Sequence, residues 1–181
     1  EDFDRLLARH AGKVKLVAIS GASNVTGHIN PIHRLAEKAH EAGARILIDA
    51  AQLAPHRAIN MRADDDAAHL DFVALSAHKM YAPYGTGALV GPVSVFGQGT
   101  PDLVGGGTVD IVTVDDVRWA GPPDRDEAGS PNVVGAVALA QAIVSLQQIG
   151  MDVLARHEAE LTAHALRGLA LGCAEFLGDD R

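Results

Sequence analysis

The segment Phe72-Val-Ala-Leu-Ser-Ala-His-Lys79-Met-Tyr-Ala-Pro-Tyr-Gly-Thr-Gly87 joins a short apolar run to a loop rich in glycine and proline. The apolar run is typical of a buried strand, and the loop marks the point where that strand ends. Lys79 therefore lies just beyond a strand end, where glycines let the backbone approach a ligand closely. One interpretation is a solvated loop lysine. The other is a nucleophile whose neutral amine forms a Schiff base with an aldehyde.

An aspartate ends a second apolar run in the same way, in the segment Arg45-Ile-Leu-Ile-Asp49-Ala-Ala-Gln52. Asp49 either caps a following helix or keeps a proton on a pyridine nitrogen, so that the ring can accept electrons. Gln52 either caps the same helix or donates a hydrogen bond to a ring oxygen of a cofactor. An acid beside a lysine that forms an imine is the arrangement that pyridoxal phosphate (PLP) requires. The two segments together predict a PLP site.

Three further polar residues follow predicted strands. Ser76 and His78 flank the lysine, and they either satisfy the backbone of the turn or hold a phosphate through charge-assisted hydrogen bonds. Asn24 follows an apolar run at residues 15–20, and it either stabilises a turn or orients the cofactor or a substrate carboxylate. Ligands of open α/β sheets bind beyond the carboxyl ends of the strands. If the strands are neighbours, all these groups face one crevice.

Strand and helix patterns alternate through the first half of the chain. Apolar runs at residues 15–20, 45–49 and 71–76 are typical of strands, and a further apolar segment follows at 87–92. A helix is predicted over residues 31–43, with proline at its start and glycine at its stop. The alternation predicts an α/β fold in which a mainly parallel sheet lies between helices, in three αβα layers.

The second half of the chain has a different pattern. Residues 93–131 are rich in glycine, proline and aspartate and predict a long irregular excursion, of the kind that usually serves a site or a subunit contact. A helix is predicted over residues 131–150, and a second helix over residues 153–171 with Asp152 as its cap.

Composition argues against several other functions. The 181 residues carry a formal net charge of −8 without a basic stripe, so we predict no nucleic-acid partner. No apolar run reaches the roughly 18 to 20 residues of a membrane span, so we predict no membrane partner. The single cysteine, Cys173, excludes an internal disulfide and favours a reducing cytoplasm. His28, His33 and His40 are not matched with carboxylates at a ligand-like spacing, so no metal site is predicted.

Five blocks of the sequence resemble the class V aminotransferase family of fold-type I PLP enzymes, and within it the cysteine desulfurase and selenocysteine lyase branch. The blocks are Ser23-Asn24-Val-Thr-Gly27, His40-Glu-Ala-Gly43, Asp49-Ala-Ala-Gln52, Ser76-Ala-His-Lys79 and Glu127-Ala-Gly-Ser-Pro-Asn132. They occur in the order that the family leads us to expect. The helical tail to residue 181 fits the same family with less specificity.

The resemblance implies the contacts of the cofactor ring. It implies that Lys79 forms the internal aldimine with PLP, that Asp49 pairs with the pyridine nitrogen, and that Gln52 contacts the ring oxygen.

The resemblance also implies how the rest of the cofactor is held. Ser76 and His78 are implied to hold the phosphate, and Asn24 to lie beside the cofactor or the substrate carboxylate. Sites of this family lie at a homodimer interface, and the segment that contains Ser130 is implied to reach the phosphate of the partner subunit. Ser130 stands where the family often has threonine, so the hydroxyl is kept.

Members of the family are roughly twice as long as this chain, as two-domain proteins are. The resemblance therefore implies the central portion of an enzyme: residues 1–132 belong to a truncated PLP-binding large domain, and residues 133–181 are helices that lead toward a small domain. The implied activity is a PLP-dependent transformation of an amino acid, with sulfur or selenium abstraction as the leading reaction and a sulfur-acceptor protein as a partner. A class V aminotransferase or epimerase and a catalytically inactive fragment are the alternatives.

Overall fold

The computed structural model describes the backbone of residues 2–177 and the side chains of residues 2–170, so the side chain of Cys173 lies outside the described part. Single-turn 3₁₀ helices occur at Ala77–Met80 and Asp124–Asp126. The other elements, in chain order, are α1 (Asp2–Arg9), β1 (Leu16–Ser20), α2 (Ile32–Glu41), β2 (Arg45–Asp49), β3 (Phe72–Ser76), β4 (Gly87–Val90), α3 (Val93–Phe96), β5 (Val109–Val112), β6 (Val117–Trp119), α4 (Val133–Ile149) and α5 (Met151–Leu177).

The first four strands form one sheet in the order β1, β2, β3, β4. β2 pairs in parallel with both β1 and β3, whereas β4 pairs antiparallel with β3. Parallel neighbours need a crossover that returns the chain to the same end of the sheet, and α2 supplies it between β1 and β2. The predicted α/β fold with a mainly parallel sheet is confirmed. The apolar segment predicted at residues 87–92 is its antiparallel edge strand.

The core of the molecule lies around the central strand β2. Its isoleucines, Ile46 and Ile48, are completely buried on one face of the sheet, because alternate residues of a strand point the same way. Fully burying such a side chain contributes about 1.5–3 kcal/mol. Helices α2 and α4 bury small and apolar residues at helical spacing in the same core: Ile32, Ala36, Ala39, Leu139 and Leu146.

The return of the chain from β3 to β4 depends on one glycine. A Cβ atom added to Gly87 would lie 2.6 Å from the backbone oxygen of Leu75, far inside van der Waals contact. Glycine is therefore required for β4 to pair closely with β3, directly after the loop that follows Lys79.

The prediction of an irregular excursion over residues 93–131 is wrong in part. β5 and β6 form an antiparallel hairpin, and the buried hydroxyl of Thr108 at its base donates to the oxygen of Gly105 at 2.8 Å. The strands are only four and three residues long and lie among glycines and aspartates. The average composition of residues 93–131 therefore does not indicate these two short strands.

The two C-terminal helices begin close to the predicted positions. α4 ends where Gly150 adopts a φ of 93°, and α5 begins at the next residue, Met151. Asp152 therefore lies within the first turn of α5, where a negative charge is favourable, and the prediction that it caps the helix is wrong. Within the described part of the chain no single helix is long and apolar enough to cross a membrane. Helices α4 and α5 satisfy that test only as a pair bent by 73°.

Candidate active site

The carboxyl ends of β1, β2 and β3 lie side by side at one edge of the sheet. Asp49, the last residue of β2, is in register with Ser20 at the end of β1 and with Ala74 in β3. Ser76 lies two residues beyond Ala74, so its side chain points to the same face of the sheet as Asp49. The sheet register therefore brings the predicted acid and the predicted phosphate-binding hydroxyl to one edge and one face.

Lys79 lies in the 3₁₀ turn that follows β3. Ala77 and Met80 are buried and anchor this turn, whereas Lys79 is half-buried. The turn ends at Tyr81, which adopts a left-handed backbone conformation with φ of 67°. The lysine is thus held on a short, anchored turn, which limits the positions that its amine can reach.

The loop after Lys79 is tightly folded back on itself. Tyr84 and Gly85 also have positive φ, at 76° and 61°, and the backbone N–H of Ala77 donates to the oxygen of Thr86 at 3.1 Å. A left-handed conformation is costly for a residue other than glycine, and such strain concentrates at functional sites. The loop geometry agrees with a site next to the lysine.

Ser76 and His78 contact each other. The Ser76 hydroxyl and the Nδ1 atom of His78 are 3.0 Å apart, and His78 is exposed. A hydroxyl and an imidazole so arranged at a strand end can both donate to phosphate oxygens.

Asp49 and Gln52 do not cap a helix, because the chain after β2 runs through turns rather than a helix. The exposed Asp49 carboxylate accepts a hydrogen bond from the backbone N–H of Ala51 at 3.0 Å, which closes a turn and leaves its other oxygen available. The amide nitrogen of Gln52 lies 3.4 Å from Nε2 of His56.

Asn24 and Ser130 occupy exposed segments. Asn24 lies in the turn after β1, and that turn is held by the hydroxyl of Ser23, which accepts from the N–H groups of Val25 and Thr26 at 3.2 Å. The Asn24 side chain is therefore not needed to hold the turn. Ser130 precedes α4 and is exposed.

Sequence reasoning gave Asn132 no role, although it connects two parts of the candidate site. Its side-chain oxygen accepts from the N–H of Gly135 at 2.9 Å and caps α4. Its side-chain nitrogen donates to the oxygen of Tyr84 at 2.6 Å, in the loop after Lys79. The segment that contains Ser130 is thereby tied to the lysine loop.

A salt-bridge cluster beside Gln52 was not predicted from the sequence either. Glu158 of α5 accepts from Nδ1 of His56 and from the guanidinium of Arg57, both at 2.6 Å. Burial by itself raises the pKa of the Glu158 carboxyl, but the hydrogen bonds from Arg57 and His56 outweigh burial and lower its pKa. These residues, with Gln52 and Ser23, line a cavity of about 740 Å³ between α5 and the strand-end turns.

The side chains at this edge of the sheet have the chemical groups that are needed to bind PLP. A half-buried amine, an exposed carboxylate and a hydroxyl–imidazole pair come from adjacent strand ends. PLP carries an aldehyde, a pyridine nitrogen and a phosphate, which these three kinds of group can bind.

An α/β fold with a mainly parallel sheet and polar side chains at neighbouring strand ends is typical of enzymes that bind their ligands at that edge of the sheet. The family model described as "Aminotransferase class-V" matches residues 2–176. The chain therefore belongs to the class V aminotransferase family.

Several relatives of the chain are named as cysteine desulfurases. A "Probable cysteine desulfurase" of Halobacterium salinarum is 41% identical over 170 residues, which cover 94% of this chain and 40% of the relative. A "Cysteine desulfurase" of Dickeya dadantii is 37% identical, covering 93% of this chain and 40% of that relative. The predicted resemblance is confirmed, and the chain spans about 40% of the length of these relatives.

Solved structures agree with the sequence relatives. The apo structure of a cysteine desulfurase from Thermococcus onnurineus is 35% identical and superposes with a TM-score of 0.82, covering 93% of this chain and 41% of that structure. The cysteine desulfurase CsdA from Escherichia coli is 34% identical with a TM-score of 0.71, covering 83% of this chain and 37% of that structure. The fold-type I α/β fold inferred from the resemblance is thereby confirmed.

Proposed function

We propose that the protein containing this chain is a PLP-dependent enzyme that removes sulfur from cysteine, with Lys79 as the residue that binds the cofactor covalently. The observation that carries the proposal is the register of β2 with β3, which sets Asp49 and Ser76 on one face at the strand ends, with Lys79 one turn beyond Ser76. The names of the relatives support the choice of reaction.

When bound, PLP supplies an electron-accepting ring that stabilises negative charge next to the substrate nitrogen. Asp49 holds a proton at the pyridine nitrogen, and Gln52 donates a hydrogen bond toward the ring oxygen. Ser76 and His78 donate to the phosphate, which fixes the orientation of the ring relative to the lysine.

Lys79 has two roles in this proposal. Its amine would hold the cofactor, and it would also serve as the general base and acid that moves protons to and from the substrate. The buried residues Ala77 and Met80 anchor the turn that carries Lys79, which supports this assignment. Asn24 lies beside the substrate carboxylate or the cofactor, on the turn after β1.

The proposed active unit is a homodimer that uses an amino acid substrate and passes sulfur to an acceptor protein. Support comes from Ser130, which is exposed on a segment tied to the lysine loop and is thus accessible to a second subunit's cofactor. We place the hydroxyl of Ser130 on the phosphate of the partner subunit.

The test uses the complete protein with PLP and L-cysteine, in the presence of a thiol reductant. We expect release of sulfide and alanine in equal amounts, loss of that release in Lys79→Ala, and unchanged release in Lys13→Ala, which alters an exposed lysine outside the site. If a keto acid formed from an amino donor without release of sulfide, the proposed reaction would be transamination instead of desulfuration. If the substrate only lost its chirality, the proposed reaction would be epimerisation. PLP-dependent turnover that persists in Lys79→Ala would refute the assignment of the lysine.

A further inference from the structure

His56 lies between Gln52 of the candidate active site and Glu158 of α5. Its Nε2 atom is 3.4 Å from the side-chain nitrogen of Gln52, and its Nδ1 atom is 2.6 Å from a carboxylate oxygen of Glu158. Glu158 lies 102 residues further along the chain than His56. One imidazole ring therefore links the C-terminal helix to a residue of the candidate active site.

The backbone after β2 brings Gln52 and His56 to the same side of their segment. The N–H of Arg57 donates to the oxygen of Leu53 at 2.9 Å. A bond between residues four apart is that of a helical turn, in which the side chains of residues i and i+4 are neighbours. Leu53 and Ala54 are buried and anchor the segment. The contact between the amide and the imidazole is thus built into the local fold.

The two contacts of His56 agree on a single protonation state. Burial raises the pKa of the Glu158 carboxyl, but the hydrogen bonds from Arg57 and His56 lower it by more, so the carboxylate is ionised and can only accept. Nδ1 of His56 therefore carries the proton. An amide nitrogen can only donate, so Nε2, which faces Gln52, accepts. A neutral imidazole with its proton on Nδ1 satisfies both neighbours.

Arg57 makes this state compatible with the negative charge of Glu158. Its guanidinium donates to the second carboxylate oxygen at 2.6 Å, so the charge is balanced by a group that is always protonated. His56 therefore needs no second proton to pair with the carboxylate, and the lone pair on its Nε2 remains available to Gln52. A ring that donates from one nitrogen to a carboxylate is also the stronger base at its other nitrogen.

The imidazole determines which way the amide of Gln52 faces. A side-chain amide can turn over and exchange its oxygen with its nitrogen, and only the nitrogen can donate. The bond to Nε2 of His56 selects the orientation in which the nitrogen faces the ring. That nitrogen carries two hydrogens, so the second one remains for another acceptor.

We propose that His56, held by Glu158, is a positioning residue that presents the second N–H of Gln52 to the ring oxygen of the cofactor. The inference rests on the proposed function, in which Gln52 makes that contact. A hydrogen bond to the ring oxygen favours its ionised form. Without the imidazole the amide is free to turn over, so the bond to the ring oxygen is made for only part of the time. A salt bridge that merely packs α5 against the fold has no such effect on the cofactor.

The test follows the ionisation of the ring oxygen through the absorption of PLP bound to the complete protein, titrated with pH. We expect Gln52→Leu to raise the midpoint of this titration by about one pH unit or more, because a hydrogen bond to a charged group is lost. His56→Leu should raise the midpoint by less. The double variant should match Gln52→Leu, because His56 acts only through Gln52. His56→Gln, whose amide oxygen can still accept from Gln52, should lie closer to the unaltered protein.

His33→Leu is the control, since it also removes a partly buried imidazole, whose Nδ1 contacts the oxygen of Ala68. It should leave the midpoint unchanged. A raised midpoint in Gln52→Leu beside an unchanged one in His56→Leu, or shifts that add in the double variant, would overturn the positioning role and leave the proposed function intact. An unchanged midpoint in Gln52→Leu would overturn both this inference and the proposed contact of Gln52.

The protonation of His56 is measured separately, by nitrogen NMR of the imidazole in the complete protein without PLP at neutral pH. We expect a proton on Nδ1 and none on Nε2, both in the unaltered protein and in Gln52→Leu. A proton on Nε2 would overturn the inference even in a protein that bound PLP and released sulfide from cysteine.

Discussion

At the scale of single residues, the hydrogen bonding between β2 and β3 determines where Lys79 and Asp49 lie relative to each other. Asp49 is in register with Ala74, and the chain then needs five further residues to reach the lysine on its turn. Both side chains lie where strand pairing ends, so their polar groups are not used by the sheet. In the proposed function, that placement lets Lys79 bond to the cofactor and Asp49 hold a charge beside it.

Asp49→Asn separates the charge of this residue from its structural role. The amide oxygen can still accept from the N–H of Ala51, so the turn and the thermal stability should be retained. The neutral amide cannot hold a proton on a pyridine nitrogen. We therefore expect PLP still to attach but kcat/KM for cysteine to fall about 10²-fold or more.

The control for this variant is Asp115→Asn, which neutralises an exposed carboxylate at the hairpin turn. It should leave both stability and kcat/KM unchanged. If Asp49→Asn retained activity within a few-fold of the unaltered protein, Asp49 would not be the partner of the pyridine nitrogen.

The candidate residues at strand ends could be predicted from the sequence because short apolar runs show where strands stop. Asn132 and Glu158 could not be assigned their contacts in that way. Their partners, Tyr84 and Arg57, lie 48 and 101 residues away along the chain. The same holds for His40, whose carboxylate partner Asp71 lies 31 residues away along the chain.

At the scale of secondary-structure elements, the lysine loop is held at its end and at its middle. Gly87 allows β4 to pair with β3, and Asn132 ties the start of α4 to the middle of the loop. The predicted helices and the parallel strands followed from long or strongly apolar patterns. The hairpin of β5 and β6 did not, because its strands are short and partly exposed.

Asn132→Ala removes both the helix cap and the bond to the lysine loop. We expect a loss of about 1 kcal/mol in the free energy of unfolding from the cap, together with a lower affinity for PLP. Asn132→Asp is the matched variant, because the carboxylate can still cap α4 but cannot donate to Tyr84. Urea unfolding and PLP titration of both variants check this.

If the loop bond matters to the site, Asn132→Asp should keep most of the stability and still bind PLP more weakly. Unaltered PLP affinity in both variants would show that the tie between α4 and the loop has no effect on the site.

At the scale of the whole molecule, α5 returns to the sheet and closes one side of the strand-end edge. Its residue Glu158 contacts His56 and Arg57, which follow the turn after Asp49. These residues, together with Gln52, line the cavity between α5 and the strand-end turns. The packing of α5 against the start of the β2–β3 connection is determined by the tertiary fold and not by a local sequence pattern.

The lowered pKa of Glu158 predicts a dependence of stability on pH. The carboxylate is favoured in the folded protein, so its contribution is complete above the ordinary glutamate pKa of about 4.3 and is lost as pH falls through the lower folded value. We expect Glu158→Gln to lower the midpoint of thermal unfolding at pH 7. The difference from the unaltered protein should shrink below pH 4.

Glu160→Gln, which changes an exposed neighbour on the same helix, is the control and should show no such difference. A deficit in Glu158→Gln that stayed constant from pH 7 to pH 3 would mean that the contact does not stabilise the fold through its charge.

The most direct test of the central claim identifies the residue that carries PLP. The complete protein is incubated with PLP, reduced with borohydride and digested, and the modified peptide is sequenced by mass spectrometry. The account predicts a single PLP-modified lysine, Lys79, in the peptide that contains Ser76 and His78. Modification of Lys13, Lys15 or Lys38 instead, or an unmodified Lys79 in protein that binds PLP, would contradict it.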